Sequence, residues 1–440
     1  MSQVDPREFI EIFTTPDAID RERYICVHFR FVPCKGLSLE QAAGRVATIT
    51  ALRTLAPMPY ESKNERLKQA GYILSVQDSG QVIIGYPLDI CSPNEGLTQL
   101  LLTISAGAEY DYTAEYWVDQ IDLPKSFLER FRGPKFGIEG IRKRFKIPAR
   151  PLIGVIVKPR SGVPLLKIAE QCRESLLGGA DFIADDILMT DPEGELALKN
   201  RVPVLAKISR EASSRTGEHK WYAVNIGASP KRAMEYARFA QAEGCGALIV
   251  NAFTMGFSTI EEMTNEPDID LPFITTNMGM GIVTRPGLLT TGSKQSSGIS
   301  EGVISKLSRL AGADAAHVGT IDTGCYAQEA WHPSLVGLRA KLHKIRSAFV
   351  VGEGDLTIAN VWENIRSFGP DVMLETCTGI LGYPGGPYKG AQAFRTIVKN
   401  ITFDMNQDEA HTKIMDLAQH DSGIRQGLHH YRYSPKANNK

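Results

Sequence analysis

The stretch LIGVIVKPRSGVPLLKIAEQCRESLLGGADFIADD (residues 152–186) contains an apolar run, an amphipathic helical segment and a second apolar run in succession. Neither apolar run shows the alternation of a half-exposed strand, and continuous apolar runs are typical of strands covered on both faces of a parallel sheet. Strands of this kind that alternate with helices indicate an α/β fold. The stretch therefore predicts two neighbouring parallel strands joined by a helix.

Six further apolar runs continue this pattern toward the C-terminus. They are YAVNIG from Tyr222, ALIVNAF from Ala247, LPFITTN from Leu271, AAHVG from Ala315, AFVVG from Ala348 and VMLETC from Val372. Eight such runs favour a closed barrel over an open nucleotide-binding sheet, and no G-x-G-x-x-G motif follows the first of them. We therefore expect a TIM (β/α)8 barrel.

The residues before the barrel indicate a second, smaller domain. From Arg23 to about Pro124 the pattern is β-α-β-β-α-β, which is the ferredoxin-like arrangement. The following segment, as far as Ile147, mixes helix formers with glycine and proline and is interpreted as a connection. The sequence thus predicts an N-terminal ferredoxin-like α+β domain over residues 1–147 and a barrel with a C-terminal helical tail over residues 148–440.

The overall charge is nearly balanced, with 49 Lys and Arg against 50 Asp and Glu. This balance favours neither nucleic acid nor an anionic membrane surface as a partner. No signal-peptide pattern opens the chain, no charge-free apolar run approaches the length of about 18 residues that a membrane span needs, and the seven cysteines are scattered singly. We expect a cytoplasmic protein with reduced thiols that binds a small molecule, a second copy of itself, or both.

In a (β/α)8 barrel the reactive groups cluster at the C-terminal ends of the strands and in the loops that follow. Neighbouring strand residues point to opposite faces, so Asp186 shares a face with Ala184, and if Asp186 points into the site then Asp185 points away. The strand-end rule nominates Lys158, Arg160, Asp185, Asp186, Asn225, Asn251, Thr276, Asn277, His317, Gly352–Gly354 and Cys377–Gly379.

Three of these features allow a structural as well as a functional interpretation. Lys158 and Asp186 could form only an ion pair or a loop cap, or desolvation in the barrel mouth could lower the lysine pKa toward that of a general base. His317 could be a buried, hydrogen-bonded core residue or a catalytic one. The glycine-rich loops VVGEGDLT and TCTGILGYPGGP could bind a phosphate through backbone N–H groups or serve only as turns.

Five motifs, taken in order, resemble the RuBisCO large-subunit superfamily over roughly Tyr24 to Asn400. They are FRGPKFGIEGIR, GVIVKPRSG, GGADFIADD, HVGTI and TGILGYPGGPYKGA. The GPKFGIEG and KP-x-x-G pieces resemble the RuBisCO-like, or form IV, branch. The resemblance implies a head-to-tail homodimer in which the small domain of one subunit covers the barrel mouth of the other, with active sites at the subunit interface.

The resemblance also implies roles for individual residues. Lys158 matches the lysine that the family uses as a base on the sugar, and Arg160 replaces a second lysine while keeping its charge. Asp186 matches a magnesium-binding aspartate, and His317 matches an active-site histidine. We therefore expect Lys158, Asp186 and His317 to be catalytic, with Arg160 binding the substrate.

The metal site of the family is largely missing from this sequence. Ala184 stands where the family has the lysine whose carbamate binds magnesium, and Ile187 replaces a metal-binding glutamate. A methyl group cannot form a carbamate, so we expect no preformed Mg²⁺ site, although weak Mg²⁺ binding stays open, and the sequence indicates no other cofactor. Binding through Asp186 would be weak and would need oxygen atoms from the substrate.

The substrate-binding positions have changed as well. Thr276 and Asn277 replace the histidine and arginine that engage the second phosphate, and without that guanidinium a bisphosphate substrate is not expected. Glu353 would repel the remaining phosphate. The positions that we still expect to contact a substrate are Arg160, Thr276, Asn277, Gly352, Gly354, Thr378 and Gly379.

Two functions remain open from the sequence. The first is an isomerase or enolase acting on a sugar phosphate or sugar acid, with Lys158 as base and His317 or Asp186 as acid. RuBisCO-like proteins perform such chemistry, for example on methylthio-sugar phosphates in methionine salvage. The second is a non-catalytic descendant that binds a metabolite or protein partner on the dimeric scaffold. Neither includes carboxylation.

Overall fold

The computed structural model describes residues 12–91, 95–284, 297–321 and 331–432. An N-terminal antiparallel sheet is followed by a closed parallel barrel of eight strands. This is the α+β domain and (β/α)8 barrel that the sequence predicts. Within the described residues no helix combines the length and the apolar character needed to cross a lipid bilayer.

The N-terminal sheet has the strand order β4-β1-β3-β2, with all four strands antiparallel to their neighbours. Its strands are β1 (Tyr24–Pro33), β2 (Tyr72–Val76), β3 (Gln81–Pro87) and β4 (Thr113–Asp122). The helices of this part are α1 (Leu39–Leu52), α2 (Lys63–Gln69) and α3 (Gly96–Ser105). The order of these elements is the predicted one, except that the short helix α2 was not expected.

The eight barrel strands are β5 (Leu152–Val157), β6 (Phe182–Asp185), β7 (Trp221–Asn225), β8 (Ala247–Asn251), β9 (Phe273–Thr276), β11 (Ala315–His317), β12 (Phe349–Glu353) and β13 (Val372–Thr376). They pair in parallel in the order β11-β12-β13-β5-β6-β7-β8-β9, and the barrel closes through the pairing of β9 with β11. A two-residue strand, β10 (Gly298–Ile299), leaves the barrel and pairs with β4 at Trp117 and Val118. The N-terminal sheet therefore has a fifth strand that comes from the barrel part of the chain.

Helices connect and surround the strands. Those between the N-terminal sheet and the barrel are α4 (Lys125–Leu128) and α5 (Gly137–Phe145). The barrel helices are α6 (Leu165–Gly178), α7 (Leu198–Thr216), α8 (Pro230–Ala242), α9 (Ala252–Met255), α10 (Phe257–Asn265), α11 (Gly281–Thr284), α12 (Glu301–Leu310), α13 (Trp331–Arg339), α14 (Val361–Phe368), α15 (Thr378–Leu381) and α16 (Pro387–Asn400). The predicted helical tail consists of α17 (Gln407–His420) and α18 (Ser422–His430).

The barrel is filled from its N-terminal end by large apolar side chains. Phe145, the last residue of α5, stacks on Trp221 with ring centroids 3.8 Å apart and also contacts Phe182. The helix therefore closes the bottom of the barrel, although the predicted boundary at residue 147 assigns it to the N-terminal domain. That boundary stays a prediction.

A buried carboxylate organises the same end of the barrel. Asp181, at the start of β6, accepts two hydrogen bonds from Arg150 and one from Arg395 and is fully buried. Burial alone would raise the pKa of Asp181, but the hydrogen bonds and charges of these arginines and of Lys220 lower it. This network is structural, and chemistry is expected at the opposite, C-terminal end of the barrel, where the active sites of such barrels lie.

Candidate active site

The alternation of side chains along the barrel strands determines which polar groups enter the mouth. Small or apolar residues fill the interior, and two positions further along each of four strands a polar residue lies on the same face. These interior and mouth residues are Ala184 and Asp186, Ala315 and His317, Val351 and Glu353, and Met373 and Glu375. The mouth therefore contains an imidazole and three carboxylates.

Lys158 and Asp186 form an ion pair across two adjacent strand ends. The Lys158 Nζ lies 3.5 Å from Asp186 Oδ2, and the lysine side chain is 42% exposed while that of the aspartate is 11% exposed. Asp186 Oδ1 also accepts a hydrogen bond from the Leu188 N–H. The aspartate thus caps its loop and orients Lys158, which reaches toward solvent where a ligand would enter.

The neighbouring Asp185 serves the fold instead. Its carboxylate accepts hydrogen bonds from Arg201, which is fully buried, from the Tyr222 hydroxyl at 2.7 Å and from the Asn225 N–H at 3.0 Å. Burial and the Asp185 charge raise the pKa of Tyr222, so its hydroxyl remains a proton donor. The structure separates Asp185 and Asp186 in the way that strand alternation predicts.

His317 lies between two glutamates on the other side of the mouth. Its Nε2 is 3.0 Å from Glu375 Oε2, and its Nδ1 is 4.0 Å from Glu353 Oε2. All three residues are buried. The arrangement resembles the histidine–carboxylate pairs in which the acid fixes the ring orientation and stabilises the imidazolium.

Burial and charge act in opposite directions on this cluster. Burial alone would lower the pKa of His317, but the charge and hydrogen bond of Glu375, together with Glu353, raise it. Burial raises the pKa of Glu353, while His317 and Lys158 act to lower it. The pKa of Glu353 is therefore affected by charged groups on both sides of the mouth.

Cys377 lies near the same charged groups, and its surroundings do not activate its thiol. Burial raises the pKa of its thiol, although Lys158 opposes the shift, so the reactive thiolate is disfavoured. The described cysteines are all free thiols, and the remaining one, Cys325, lies outside the described residues.

Two predicted substrate contacts, Thr276 at the end of β9 and Asn277 directly after it, make hydrogen bonds to the backbone near the site. Thr276 is buried and accepts a hydrogen bond from the Met278 N–H, and Asn277 donates to the His317 carbonyl at 3.3 Å. Arg160, by contrast, is exposed in the loop after β5. Substrate contact by these three residues stays a prediction.

The two glycine-rich loops differ from a simple phosphate cradle. The sequence predicted that Gly352 follows the strand. In the structure β12 continues through Glu353, so Gly352 lies within the strand. The Gly379 N–H already donates to Thr376 Oγ1, and a Cβ at Gly379 would lie 2.3 Å from the Leu356 carbonyl oxygen. Gly379 therefore has a packing role, and substrate contact at Gly352, Gly354, Thr378 and Gly379 stays a prediction.

The family's magnesium site does not fit the residues present. Ala184 is completely buried in the barrel interior and Ile187 is also buried, so neither position offers an oxygen atom. Asp186 alone remains, and its two oxygens already contact Lys158 and the Leu188 N–H. A divalent ion needs several oxygen ligands, so these positions do not form the preformed site of the family.

Glu375 is a site residue that sequence reasoning missed, and the proximity of Glu353 to His317 was not predicted. Glu353 was considered only as a group that would repel phosphate, but it is a neighbour of His317. The signal for Glu375 was available, because VMLETC places Glu375 on the same face as Met373 if the strand alternates.

Comparison with known proteins identifies relatives along most of the chain. A family model described as the ribulose bisphosphate carboxylase large chain, catalytic domain, matches residues 137–430. A ribulose bisphosphate carboxylase of Archaeoglobus fulgidus is 27% identical over 419 residues, covering 90% of this chain and 92% of the relative. A ribulose bisphosphate carboxylase-like protein from the same organism is 26% identical over 396 residues, covering 87% and 89%.

Solved structures with the same fold include enzymes and one RuBisCO-like protein. The octameric enzyme of Pyrococcus horikoshii superposes with a TM-score of 0.85 and 25% identity, covering 98% of this chain and 100% of that one. A dimeric archaeal enzyme from Hyperthermus butylicus, at 22% identity, has a TM-score of 0.81 with coverage of 97% and 100%. A rubisco-like protein (MtnW) of Alicyclobacillus acidocaldarius gives 0.77 at 27% identity, covering 92% and 99%.

Proposed function

This chain belongs to the ribulose bisphosphate carboxylase large-chain family, and we propose that it is a RuBisCO-like enzyme that moves protons next to a carbonyl group without carboxylating its substrate. The observation that carries the proposal is the pairing of two acid–base groups in one mouth. Lys158 is held by Asp186 on one side, and buried His317 is held by Glu375 on the other. Two positioned proton-transfer groups are what an enolisation requires.

The reaction follows from what these groups can donate and accept. After its ammonium group has released a proton to solvent, the Lys158 amine takes a proton from the carbon beside the substrate carbonyl, which breaks the C–H bond and leaves an enolate. Protonated His317 donates a hydrogen bond or its proton to the enolate oxygen, while Glu375 stabilises the imidazolium. If the substrate has a hydroxyl on the carbon that lost its proton, protonation of the former carbonyl carbon by Lys158, with loss of that hydroxyl proton to solvent, completes an isomerisation. Protonation of the enolate oxygen alone gives an enol.

The substitutions at β6 support a reaction without carbon dioxide. Carboxylation in the family uses a metal on a carbamylated lysine, and Ala184 and Ile187 remove two of its protein ligands. The same substitutions support membership in the form IV branch. A sugar phosphate or a related sugar acid is the proposed substrate, because both have an acidic C–H next to a carbonyl.

We propose that the chain acts as a homodimer with its active sites at the subunit interface. The support is the dimeric and octameric state of the solved relatives. Sedimentation of the purified protein tests this, because a monomer at micromolar concentration would contradict it.

Solvent exchange tests the catalytic proposal directly. The protein is incubated in deuterium oxide with candidate sugar phosphates and sugar acids, and deuterium uptake at carbon is followed by NMR. Lys158→Ala should reduce exchange by about 100-fold or more, while calorimetry still detects binding. The matched control is Lys207→Ala, which removes an exposed lysine that is also paired with a carboxylate.

Two results would contradict the proposal. The first is exchange that continues unchanged in Lys158→Ala. The second is tight binding of a sugar phosphate by the wild-type protein with no exchange at any carbon, which would favour the non-catalytic binding protein.

A further inference from the structure

The cluster formed by His317, Glu353 and Glu375 has the composition of a metal site. One ligand atom from each of the three residues lies within 4.8 Å of the other two. His317 and Glu353 end β11 and β12, and Glu375 is the last but one residue of β13, so their backbones are fixed by the barrel ladder. The cluster lies on the opposite side of the mouth from Ala184 and Ile187, whose equivalents hold magnesium in the family.

Unsatisfied polar atoms point to a missing ligand at this place. Within the described part of the chain, His317 Nδ1 and Glu375 Oε1 are both buried without a hydrogen-bond partner. The side chains of His317 and Glu375 are only 6% and 2% exposed. A buried polar atom without a partner is destabilising, so two of them in one cluster indicate a group that satisfies them.

The charges of the cluster also favour a cation. The cluster sets two carboxyl groups against a single imidazole, so it contains an excess of acidic over basic groups. Lys158 does not balance it, because Asp186 already neutralises the lysine amine at 3.5 Å. Buried charges without a counter-ion are strongly disfavoured, and a bound divalent ion removes that penalty.

We propose that His317, Glu353 and Glu375 bind a divalent transition-metal ion of the Zn²⁺ or Mn²⁺ class. One nitrogen and two oxygen ligands suit these ions, whereas Mg²⁺ prefers oxygen ligands alone. Three protein ligands leave coordination positions open for water or for a substrate oxygen.

The observed spacing is close to what such an ion needs. Ligand atoms at about 2.1 Å from a tetrahedral ion lie about 3.4 Å from one another. One ligand atom from each residue lies within 4.8 Å of the other two. His317 Nδ1, which has no hydrogen-bond partner among the described residues, is the ring nitrogen that would bind the ion, and it lies 4.0 Å from Glu353 Oε2. The side chains therefore have to draw closer around an ion, while the strands that carry them are held by the barrel ladder.

Metal binding at this place is independent of the proposed reaction. In the proposed reaction His317 is the proton donor, and an ion held by His317, Glu353 and Glu375 would supply Lewis-acid stabilisation in its place. The ion can therefore be measured by its binding alone. Failure of the exchange experiment would leave this inference standing, and failure of metal binding would leave the exchange experiment standing.

Calorimetry with the chelator-treated full-length protein tests the inference. ZnCl2, MnCl2 and MgCl2 are titrated separately at neutral pH. We expect one site per chain for Zn²⁺ or Mn²⁺ and much weaker binding of Mg²⁺. Glu375→Gln, Glu353→Gln and His317→Ala should each weaken binding about tenfold or more.

Two control variants make the result specific to the cluster. His28→Ala removes a histidine that is also bonded to a carboxylate, Asp122, but lies in the N-terminal sheet, and it should leave the affinity unchanged. Asp186→Asn tests the family position and should change the affinity less than threefold. Thermal unfolding of each variant verifies folding, and added Zn²⁺ or Mn²⁺ should raise the midpoint of the wild type but not of Glu375→Gln or Glu353→Gln.

Three outcomes would overturn the inference. They are the absence of a stoichiometric site in the wild-type protein, full affinity in both folded glutamate variants, and a loss of affinity in Asp186→Asn as large as in the cluster variants. The last outcome would assign the ion to the family position on β6.

Discussion

Replacing each of two adjacent aspartates by asparagine should have opposite consequences for stability and for chemistry. Asp185→Asn removes the carboxylate that neutralises Arg201, and both side chains are fully buried. Asp186→Asn removes a carboxylate whose partner, Lys158, is 42% exposed. The two substitutions are identical in size and chemistry and are one residue apart, so each is the control for the other.

The size of the difference follows from burial. Breaking a buried ion pair by removing one partner costs about 3–5 kcal/mol, whereas a partly exposed pair contributes about 0–1 kcal/mol. An unfolding entropy of about 2.1 cal/mol/K per residue over the roughly 250 residues of the barrel gives about 0.5 kcal/mol/K. Asp185→Asn should therefore lower the thermal midpoint by about 6–10 °C, and Asp186→Asn by about 2 °C or less.

Differential scanning calorimetry of the two variants at neutral pH measures this difference, and deuterium exchange measures the chemistry in parallel. Asp186→Asn should keep its midpoint and lose exchange, while Asp185→Asn should retain exchange below its lowered midpoint. Equal midpoints for the two variants, or a larger loss in Asp186→Asn, would refute the assignment of one aspartate to the fold and the other to the site.

Three further predictions concern groups around the barrel. Glu375→Gln should lower the pKa of His317, followed by NMR of the imidazole protons, because burial would no longer be opposed by the glutamate charge. Because the pKa of His317 is raised in the folded protein, its protonation stabilises the fold below the ordinary histidine pKa, and this stability is lost as the pH rises through the raised pKa. The contribution should be smaller in the variant. An unchanged His317 titration would contradict the pairing with Glu375. Because the pKa of Asp181 is lowered in the folded protein, its ionised carboxylate stabilises the fold above the ordinary carboxyl pKa, and this stability is lost as the pH falls through the lowered pKa. In urea unfolding, Asp181→Asn should therefore be less stable than the wild type near neutral pH, and its stability should depend less on acid. Gly379→Ala should lose about 1–3 kcal/mol in the same assay, because the new Cβ would press on a backbone carbonyl; a variant of unchanged stability that fails to bind phosphate would instead support the phosphate loop.

The sequence was sufficient for the fold because its signals are repetitive. Eight apolar runs separated by amphipathic helices match the eight barrel strands to within a few residues, and the β-α-β-β-α-β order matches the N-terminal sheet. Strand alternation also separates Asp185 from Asp186 without any structural knowledge. The pairing of β10 with β4 could not be predicted from the sequence, because a strand of two residues has no periodic pattern.

The site was only partly predictable. Lys158 and Asp186 end neighbouring strands, so their proximity follows from the strand order. The partnership of His317 with Glu375 depends on the barrel closing from β11 through β12 to β13, which places residues 58 positions apart within 3.0 Å. A carboxylate in an apolar run such as VMLETC gives no indication of which of its neighbours it will contact.

The contact between β10 and β4 affects how the chain could be divided. An edge strand with free N–H and C=O groups is a template for pairing with other molecules, and proteins protect such edges. Here the protection of Trp117 and Val118 comes from Gly298 and Ile299, far downstream in the chain. An N-terminal fragment produced alone would expose this edge and tend to self-associate, so the ferredoxin-like part depends on the rest of its own polypeptide for solubility as well as for position.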